Sequence, residues 1–104
     1  MLINNMRPIH PGEILREEYL LPYGISANAL AIKLQVPATR IGAIVNEKRS
    51  ITVDTALRLS RYFGGDAQSW LNLQQAFDLK TGQAELEEEL NYITPMAMMA
   101  LVCG

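Results

Sequence analysis

Apolar residues recur every three or four positions along most of this chain, which is the period of an amphipathic α-helix. Capping residues, prolines and glycines divide the pattern into five such stretches. The first begins near His10-Pro11-Gly12-Glu13, since proline is favoured in the first turn of a helix. Pro22 is expected to end it, and residues 1–9 are interpreted as an irregular arm. The pattern therefore predicts an all-α fold of five helices.

The second and third helices are predicted to form a helical hairpin with a tight turn. Ser26 suits the N-cap of the second helix, and Leu30 and Leu34 repeat on its buried side. Val36 precedes a proline and is therefore pushed away from helical angles. Pro37 can then open the third helix at its first position.

The third helix has one apolar face and one small, polar face. Ile41, Ile44 and Val45 fall at i, i+3 and i+4 and are expected to be buried. The opposite face suits insertion into a DNA major groove, where Arg40 could bind guanine and Thr39 could meet a base edge. A helical hairpin in a protein that never touches DNA is the alternative that this spacing leaves open. The outer face consists of Thr39, Ala43 and Asn46, flanked by Arg40 and Glu47.

The last two helices are predicted to complete the domain. Thr52 caps the fourth, and Gly64 ends it. The residues expected along one face of this helix are Val53, Ala56, Leu57, Ser60 and Phe63. Arg58 and Arg61 lie on the other side, where solvation is expected rather than DNA contact. Asp66 caps the fifth helix, which carries Trp70 as a core anchor and should stop at Gly82. Beyond it, Leu86 and Leu90 allow a short acidic helix at most.

The predicted organisation is an arm at residues 1–9, one helical domain at 10–82 and a C-terminal extension, first acidic and then apolar, at 83–104. The net charge of −2 conceals a strong segregation: residues 26–62 carry +4, and residues 63–104 carry −5. Positive charge thus coincides with the hairpin, as phosphate contact requires. Lys48 and Arg49 follow the third helix directly and are placed to grip the DNA backbone.

Other chemistry is sparse in the sequence. His10 and Glu13 have the spacing of a metal pair, but two ligands make no site, and capping or surface packing of His10 is favoured. The single Cys103 excludes an internal disulfide and suits a reducing cytosol. No signal peptide or membrane-spanning length of apolar residues is present, so we expect a soluble cytoplasmic protein. Neither a cofactor nor enzymatic activity is predicted.

Three stretches carry a resemblance to a known family. The five-helix order resembles the Cro/C1-type (XRE), lambda-repressor-like helix-turn-helix domain. More specifically, the chain resembles the HigA antitoxins, also called virulence-associated protein I, over about residues 8–80, and no counterpart is identified for the tail after residue 82. The stretches are HPGEILREEYL, NALAIKLQVPATRIGAIVNEKRSITVDTALRLSRYFG and WLNLQQAFDL.

The resemblance implies the antitoxin of a type II toxin–antitoxin module. Such a protein would bind double-stranded operator DNA as a homodimer, repress its own operon and neutralise a HigB-type mRNA endonuclease. Base-reading positions then fall on Ala38, Thr39, Arg40 and Ala43. Phosphate-contacting positions fall on Ser26, Asn28, Asn46, Lys48 and Arg49.

Several positions depart from the family pattern. Ala27 stands where many such domains have a glutamine that touches DNA, and Glu47 stands where glycine is usual. Gly42 lies inside the third helix at a cost of about 1 kcal/mol relative to alanine. Two further functions therefore stay open: a free-standing transcriptional regulator without a toxin, and a protein-interaction domain that has lost DNA contact.

Overall fold

The computed structural model describes residues 7–97, and every regular element among them is helical. The predicted all-α fold of five helices is confirmed. Of the predicted arm only residues 7–9 are described, and residues 98–104 of the extension lie outside the described part. The helices are α1 (residues 11–23), α2 (Ala27–Leu34), α3 (Ala38–Val45), α4 (Val53–Phe63) and α5 (Ala67–Asn91).

The first helix, α1, is not uniform. It consists of an α-helical turn at Pro11–Ile14, a π-helical stretch at Leu15–Leu20 and a final α-helical turn at Leu21–Tyr23. The prediction that Pro22 ends this helix is wrong by one residue, because Gly24 ends it in a left-handed conformation (φ 65°). Pro22 has no N–H to donate to the helix backbone. The π-helical turn before it already departs from the α-helical hydrogen-bond pattern, so the helix continues past the proline.

The core lies where α1 to α4 meet, and α5 covers one side of it. Trp70 of α5 is buried, as predicted, with its ring 5.4 Å from that of Tyr19. The ring of Tyr19 also packs against that of Phe63 of α4, with the ring centroids 4.8 Å apart. The three aromatic side chains thus join the first helix to the last two. The largest fully buried side chains in the described residues are Pro11, Leu15, Leu30, Ile41, Ile44 and Leu59.

The predicted buried face of α4 is right at Ala56, which is fully buried, and at Phe63, which packs against the core, but wrong at Val53 and Leu57. Thr55, Ala56 and Leu59 face the core, whereas Val53 and Leu57 are both more than half exposed. The sequence offers apolar residues on two sides of this helix, and the apolar pattern alone does not decide between them. The cap at Thr52, whose Oγ1 accepts from the Thr55 N–H at 3.5 Å, is where it was predicted.

The fifth helix, α5, runs straight through the position predicted to stop it. Gly82 is an interior residue of the helix, which ends only at Asn91. The predicted boundary between domain and extension at residue 82 therefore falls inside one continuous helix. Glycine weakens a helix but does not break it, and strong helix formers continue on its C-terminal side. The cap at Asp66 is confirmed, since Oδ1 accepts from the Ser69 N–H at 2.8 Å.

Candidate nucleic-acid interface

A three-residue turn at residues 35–37 joins α2 to α3. The Ser26 hydroxyl caps the start of α2 by accepting from the Ala29 N–H at 3.0 Å, as predicted. Gln35 ends α2 in a left-handed conformation (φ 60°), and the Val36 N–H returns to the Ala31 carbonyl at 3.0 Å. Pro37 is the N-cap of α3, not its first residue as predicted. The hairpin has the connection expected of a helix-turn-helix unit.

The end of α3 is closed by backbone hydrogen bonds of the Schellman type. The Lys48 N–H donates to the Ala43 carbonyl at 2.8 Å, and the Glu47 N–H donates to the Ile44 carbonyl at 2.9 Å. This arrangement puts the residue after the C-cap in the left-handed region, where glycine is preferred. Glu47 holds that conformation here with φ 62°.

Two residues of α1 fix the position of α3. Gly12 lies so close to α3 that a Cβ atom built on it would be 1.8 Å from the Ile44 carbonyl oxygen. One turn further on, Arg16 Nη1 donates to the Val45 carbonyl, and its Nη2 lies 3.4 Å from the Glu47 carboxylate. Arg16 thus supplies a positive charge at the negative end of α3. It also pairs with the carboxylate that the sequence places near the suspected DNA backbone.

Of the four predicted base-reading positions, Thr39 and Ala43 lie on the side of α3 opposite the buried Ile41 and Ile44. Ala38 and Arg40 flank that side. At the start of the helix, Ala38 and Thr39 are exposed. Arg40 and Ala43 are half-buried. The side chains at the N-terminal end of α3 are therefore small and accessible. That is the end of a recognition helix that contacts base edges.

Arg40 is held by an acidic partner. Its Nη1 donates to Asp54 Oδ2 at 2.5 Å, and Arg58 Nε donates to the same oxygen at 3.0 Å. These two hydrogen bonds, that of Arg40 first, hold the pKa of Asp54 below its ordinary value. Arg58 also donates to the Leu34 carbonyl at 2.8 Å, so it is not simply solvated as expected from the sequence.

All five predicted phosphate-contacting residues are exposed. Ser26 and Asn28 lie at the start of α2, and Asn46 is the C-cap of α3. The Ser26 oxygen is an acceptor in the helix cap, which leaves its hydroxyl hydrogen to donate. Lys48 and Arg49 occupy the turn after α3. The structure thus brings the predicted residues to the two ends of the hairpin.

Gln74 supports this region from beneath, although no sequence motif singles it out. Its Oε1 accepts from the Ile51 N–H at 2.8 Å, and its Nε2 donates to Asp78 Oδ1 at 3.0 Å. The side chain is buried and ties the loop between α3 and α4 to α5. Its place four residues after Trp70 on the inner face of α5 is the only signal that the sequence contains.

His10 serves as a helix cap. Its Nδ1 accepts from the Gly12 N–H at 2.9 Å, and its ring packs edge-on against Phe77 at 4.8 Å. Capping was predicted, but the side chain is buried, not at the surface. Within residues 7–97, no three His, Cys, Asp or Glu side chains lie together as a metal site would require. The same residues include no helix long and apolar enough to cross a membrane.

Comparison with known proteins agrees with this geometry. The model of the Helix-turn-helix family matches residues 15–70, and the chain belongs to that family. Virulence-associated protein I of Dichelobacter nodosus is 61% identical over 94 residues, which cover 90% of this chain and 86% of that protein. Antitoxin HigA-1 of Vibrio cholerae is 32% identical over 90 residues, covering 86% of this chain and 85% of that protein.

Among solved structures, Pseudomonas aeruginosa antitoxin HigA with the higBA promoter is 47% identical with a TM-score of 0.84. The match covers 86% of this chain and 99% of that one. Within the helix-turn-helix family, this chain is accordingly a member of the group of HigA antitoxins and virulence-associated protein I, as its motifs predicted. This group consists of DNA-binding proteins, not enzymes.

The comparisons also correct the expected extent of the family. A match over 94 residues cannot fit within residues 1–82. The expectation that the tail after residue 82 has no family counterpart is therefore wrong. The family pattern continues into the second half of α5, in agreement with the continuity of that helix.

Proposed function

We propose that this chain is the antitoxin of a type II toxin–antitoxin module. As a homodimer in the cytoplasm, it binds operator DNA upstream of its own operon, represses transcription and neutralises a HigB-type mRNA endonuclease. The observation that carries the proposal is the accessible face of α3, with Ala38 and Thr39 at its exposed start and Arg40 beside them. The resemblance to an antitoxin HigA solved with promoter DNA supports it.

The mechanism follows from the placement of charge and shape. The start of α3 enters the major groove, where Arg40 binds the O6 and N7 atoms of guanine and Thr39 meets the neighbouring base. Lys48 and Arg49 bind phosphates beside it and fix the register without reading sequence. Two hairpins related by a twofold axis then read half-sites about 34 Å apart, one turn of DNA.

The test compares two variants on the duplex immediately upstream of the gene. Arg40→Ala should cost about 1–3 kcal/mol at one base position and relax specificity there. Lys48→Ala should weaken binding to all sequences about equally and lower the slope of log K against log salt by about one unit. Arg61→Ala, which removes an equal charge from exposed α4, is the control and should change neither. If both hairpin variants bind like the parent, α3 does not read DNA.

The toxin arm of the proposal needs a separate experiment. The small reading frame next to the gene is expressed alone and together with this chain, and growth and co-purification are scored. Growth arrest by the neighbour, relieved by a stable complex with this chain, is the expected result. A harmless neighbour, or a toxic one that this chain neither binds nor relieves, would favour the free-standing transcriptional regulator.

A further inference from the structure

Asp54 stands where α3 meets α4. It lies in the first turn of α4, and its Oδ2 accepts from Arg40 of α3 at 2.5 Å and from Arg58 of α4 at 3.0 Å. One carboxylate oxygen therefore joins the suspected base-reading arginine to the helix behind it. The side chain of Asp54 is half exposed, while that of Arg40 is only a quarter exposed.

The carboxylate is itself held in place. Arg58 donates Nη1 to the Leu34 carbonyl at 2.8 Å and lies 3.4 Å from the Gln35 carbonyl, both at the end of α2. Arg58 thereby fixes Asp54 relative to the turn of the hairpin. A long, exposed arginine normally loses considerable rotamer freedom when it binds a target. Here much of that loss occurs on folding, before any DNA is bound.

The hydrogen bond to Asp54 leaves the guanidinium competent for base recognition. Arginine has five N–H donors in a planar fork, and one from Nη1 is committed to Asp54. The edge formed by Nε and Nη2 still offers the two parallel donors that guanine O6 and N7 require. We propose that Asp54 is a positioning residue that holds Arg40 in its base-reading orientation and so sets sequence discrimination. This inference rests on the proposed DNA-reading function of α3.

The proposal separates two effects of opposite sign. As an anion beside a DNA-binding face, Asp54 repels phosphates and weakens binding to every sequence. As the partner of Arg40, it strengthens binding only to sequences that carry the correct guanine. Removing its charge should therefore raise affinity for unrelated DNA while lowering the preference for the operator. A residue that only shielded Arg40 would raise both affinities, and a residue that only supported the fold would lower both.

The experiment selects binding sequences from a random duplex library with the full chain. The parent should enrich one motif, and Arg40→Ala should lose preference at one guanine of it. Asp54→Asn should reduce the preference at that same position about fivefold or more, while its affinity for an unrelated duplex rises. Asp66→Asn, which removes an equal charge at the start of α5 and leaves a good N-cap, should leave the motif unchanged.

A double variant at Asp54 and Arg40 and a substitution of Arg58 complete the test. If Asp54 acts through Arg40, Asp54→Asn should have no further effect on discrimination in the Arg40→Ala protein. Arg58→Lys keeps the net charge but cannot hold Asp54 and the Leu34 carbonyl with one planar group, so discrimination should fall at the same position. This variant also tests the proposal should Asp54→Asn fold poorly.

The outcomes separate the two hypotheses. An enriched motif that depends on Arg40 but is unchanged in Asp54→Asn and Arg58→Lys would overturn the role of Asp54 and leave the proposed function intact. Equal preference in the parent for every sequence would overturn the reading of DNA by α3, and the role of Asp54 with it.

Discussion

At the scale of single residues, His10 shows how one proton can matter to this fold. Its Nδ1 accepts the Gly12 N–H, so the neutral ring carries its hydrogen on Nε2. Protonation would place a second hydrogen on Nδ1, facing a donor, inside a site that excludes water. Burial accordingly lowers the pKa of His10 below its ordinary value.

A pH dependence of stability follows from that lowered pKa. In the unfolded chain His10 binds a proton below about pH 6.5, while the folded chain resists it to lower pH. The stabilisation is therefore complete above pH 6.5 and is lost progressively as the pH falls towards the folded-state pKa. Urea unfolding between about pH 7.5 and 5.5 should show this decline. The variant His10→Asn, which can still cap α1, should be less stable but nearly independent of pH over that range.

Glu47 raises a different question, because its backbone conformation suits another residue. A left-handed conformation (φ 62°) costs a side-chain-bearing residue about 1 kcal/mol relative to glycine. The ion pair between Glu47 and Arg16 is exposed and stabilises the fold by about 0.2–1 kcal/mol. The carboxylate also lies in the turn that carries Lys48 and Arg49.

Glu47→Gly should therefore be slightly more stable than the parent, by about 0.5 kcal/mol, and should bind DNA more tightly, with the difference largest at low salt. Chemical unfolding and a salt titration of binding measure the two effects. Glu18→Gln, at an exposed position of α1, removes one negative charge elsewhere and is the control for net charge. A less stable Glu47→Gly protein would show that the pair with Arg16 outweighs the backbone conformation.

At the scale of elements, α5 is longer than the sequence predicts. Glycine follows many helices, so Gly82 is predicted to end this one, but the residues on both sides of it favour a helix. The opposite holds at Gly24, where a positive φ of 65° makes glycine the true end of α1. The two residues look alike in the sequence, and only the backbone conformation separates them.

A pair of alanine variants tests this distinction. Gly82→Ala should stabilise the chain by up to about 1 kcal/mol, since an added Cβ meets nothing within 4 Å and alanine favours helix. Gly24→Ala should destabilise it by about 1 kcal/mol, although space is equally open, because φ is positive. Thermal unfolding of both variants gives the answer, and a loss of stability in Gly82→Ala would contradict a continuous helix.

The element scale also shows what the sequence could predict. Helix number, the caps at Ser26, Thr52 and Asp66, and the buried face of α3 followed from local spacing alone. The buried face of α4 followed only in part, at Ala56 and Phe63, because apolar residues lie on two sides of the helix and packing chooses between them. The partners of Arg40 and Arg16 were equally out of reach, since Asp54 and the Val45 carbonyl come near them only through the fold.

At the scale of the whole molecule, the described residues form an elongated body of 61 × 25 × 24 Å. Every buried side chain lies between His10 and Gln74, so the second half of α5 contributes nothing to the core. Exposed leucines nevertheless continue along it at Leu79, Leu86 and Leu90. A helix with exposed apolar residues and no core to cover suits contact with another chain.

Truncation after residue 82 tests where a dimer would form. The core remains complete, so the shortened chain should still fold and unfold cooperatively. We expect it to sediment as a monomer at concentrations where the parent is a dimer. Sedimentation velocity measures the two masses. A truncated chain that stays dimeric would confine the dimer surface to the residues before the tail.

Gly12 finally sets a limit on how this protein can vary. The hydrogen that stands in place of its side chain occupies the space between two helices, and a carbon there would push α3, with its proposed base-reading positions, away from α1. Even alanine would therefore alter stability and recognition together, so Gly12 cannot be replaced by a small change in side-chain size. Operator preference can change through the outward side chains of α3, while Gly12 keeps the angle at which that helix is presented.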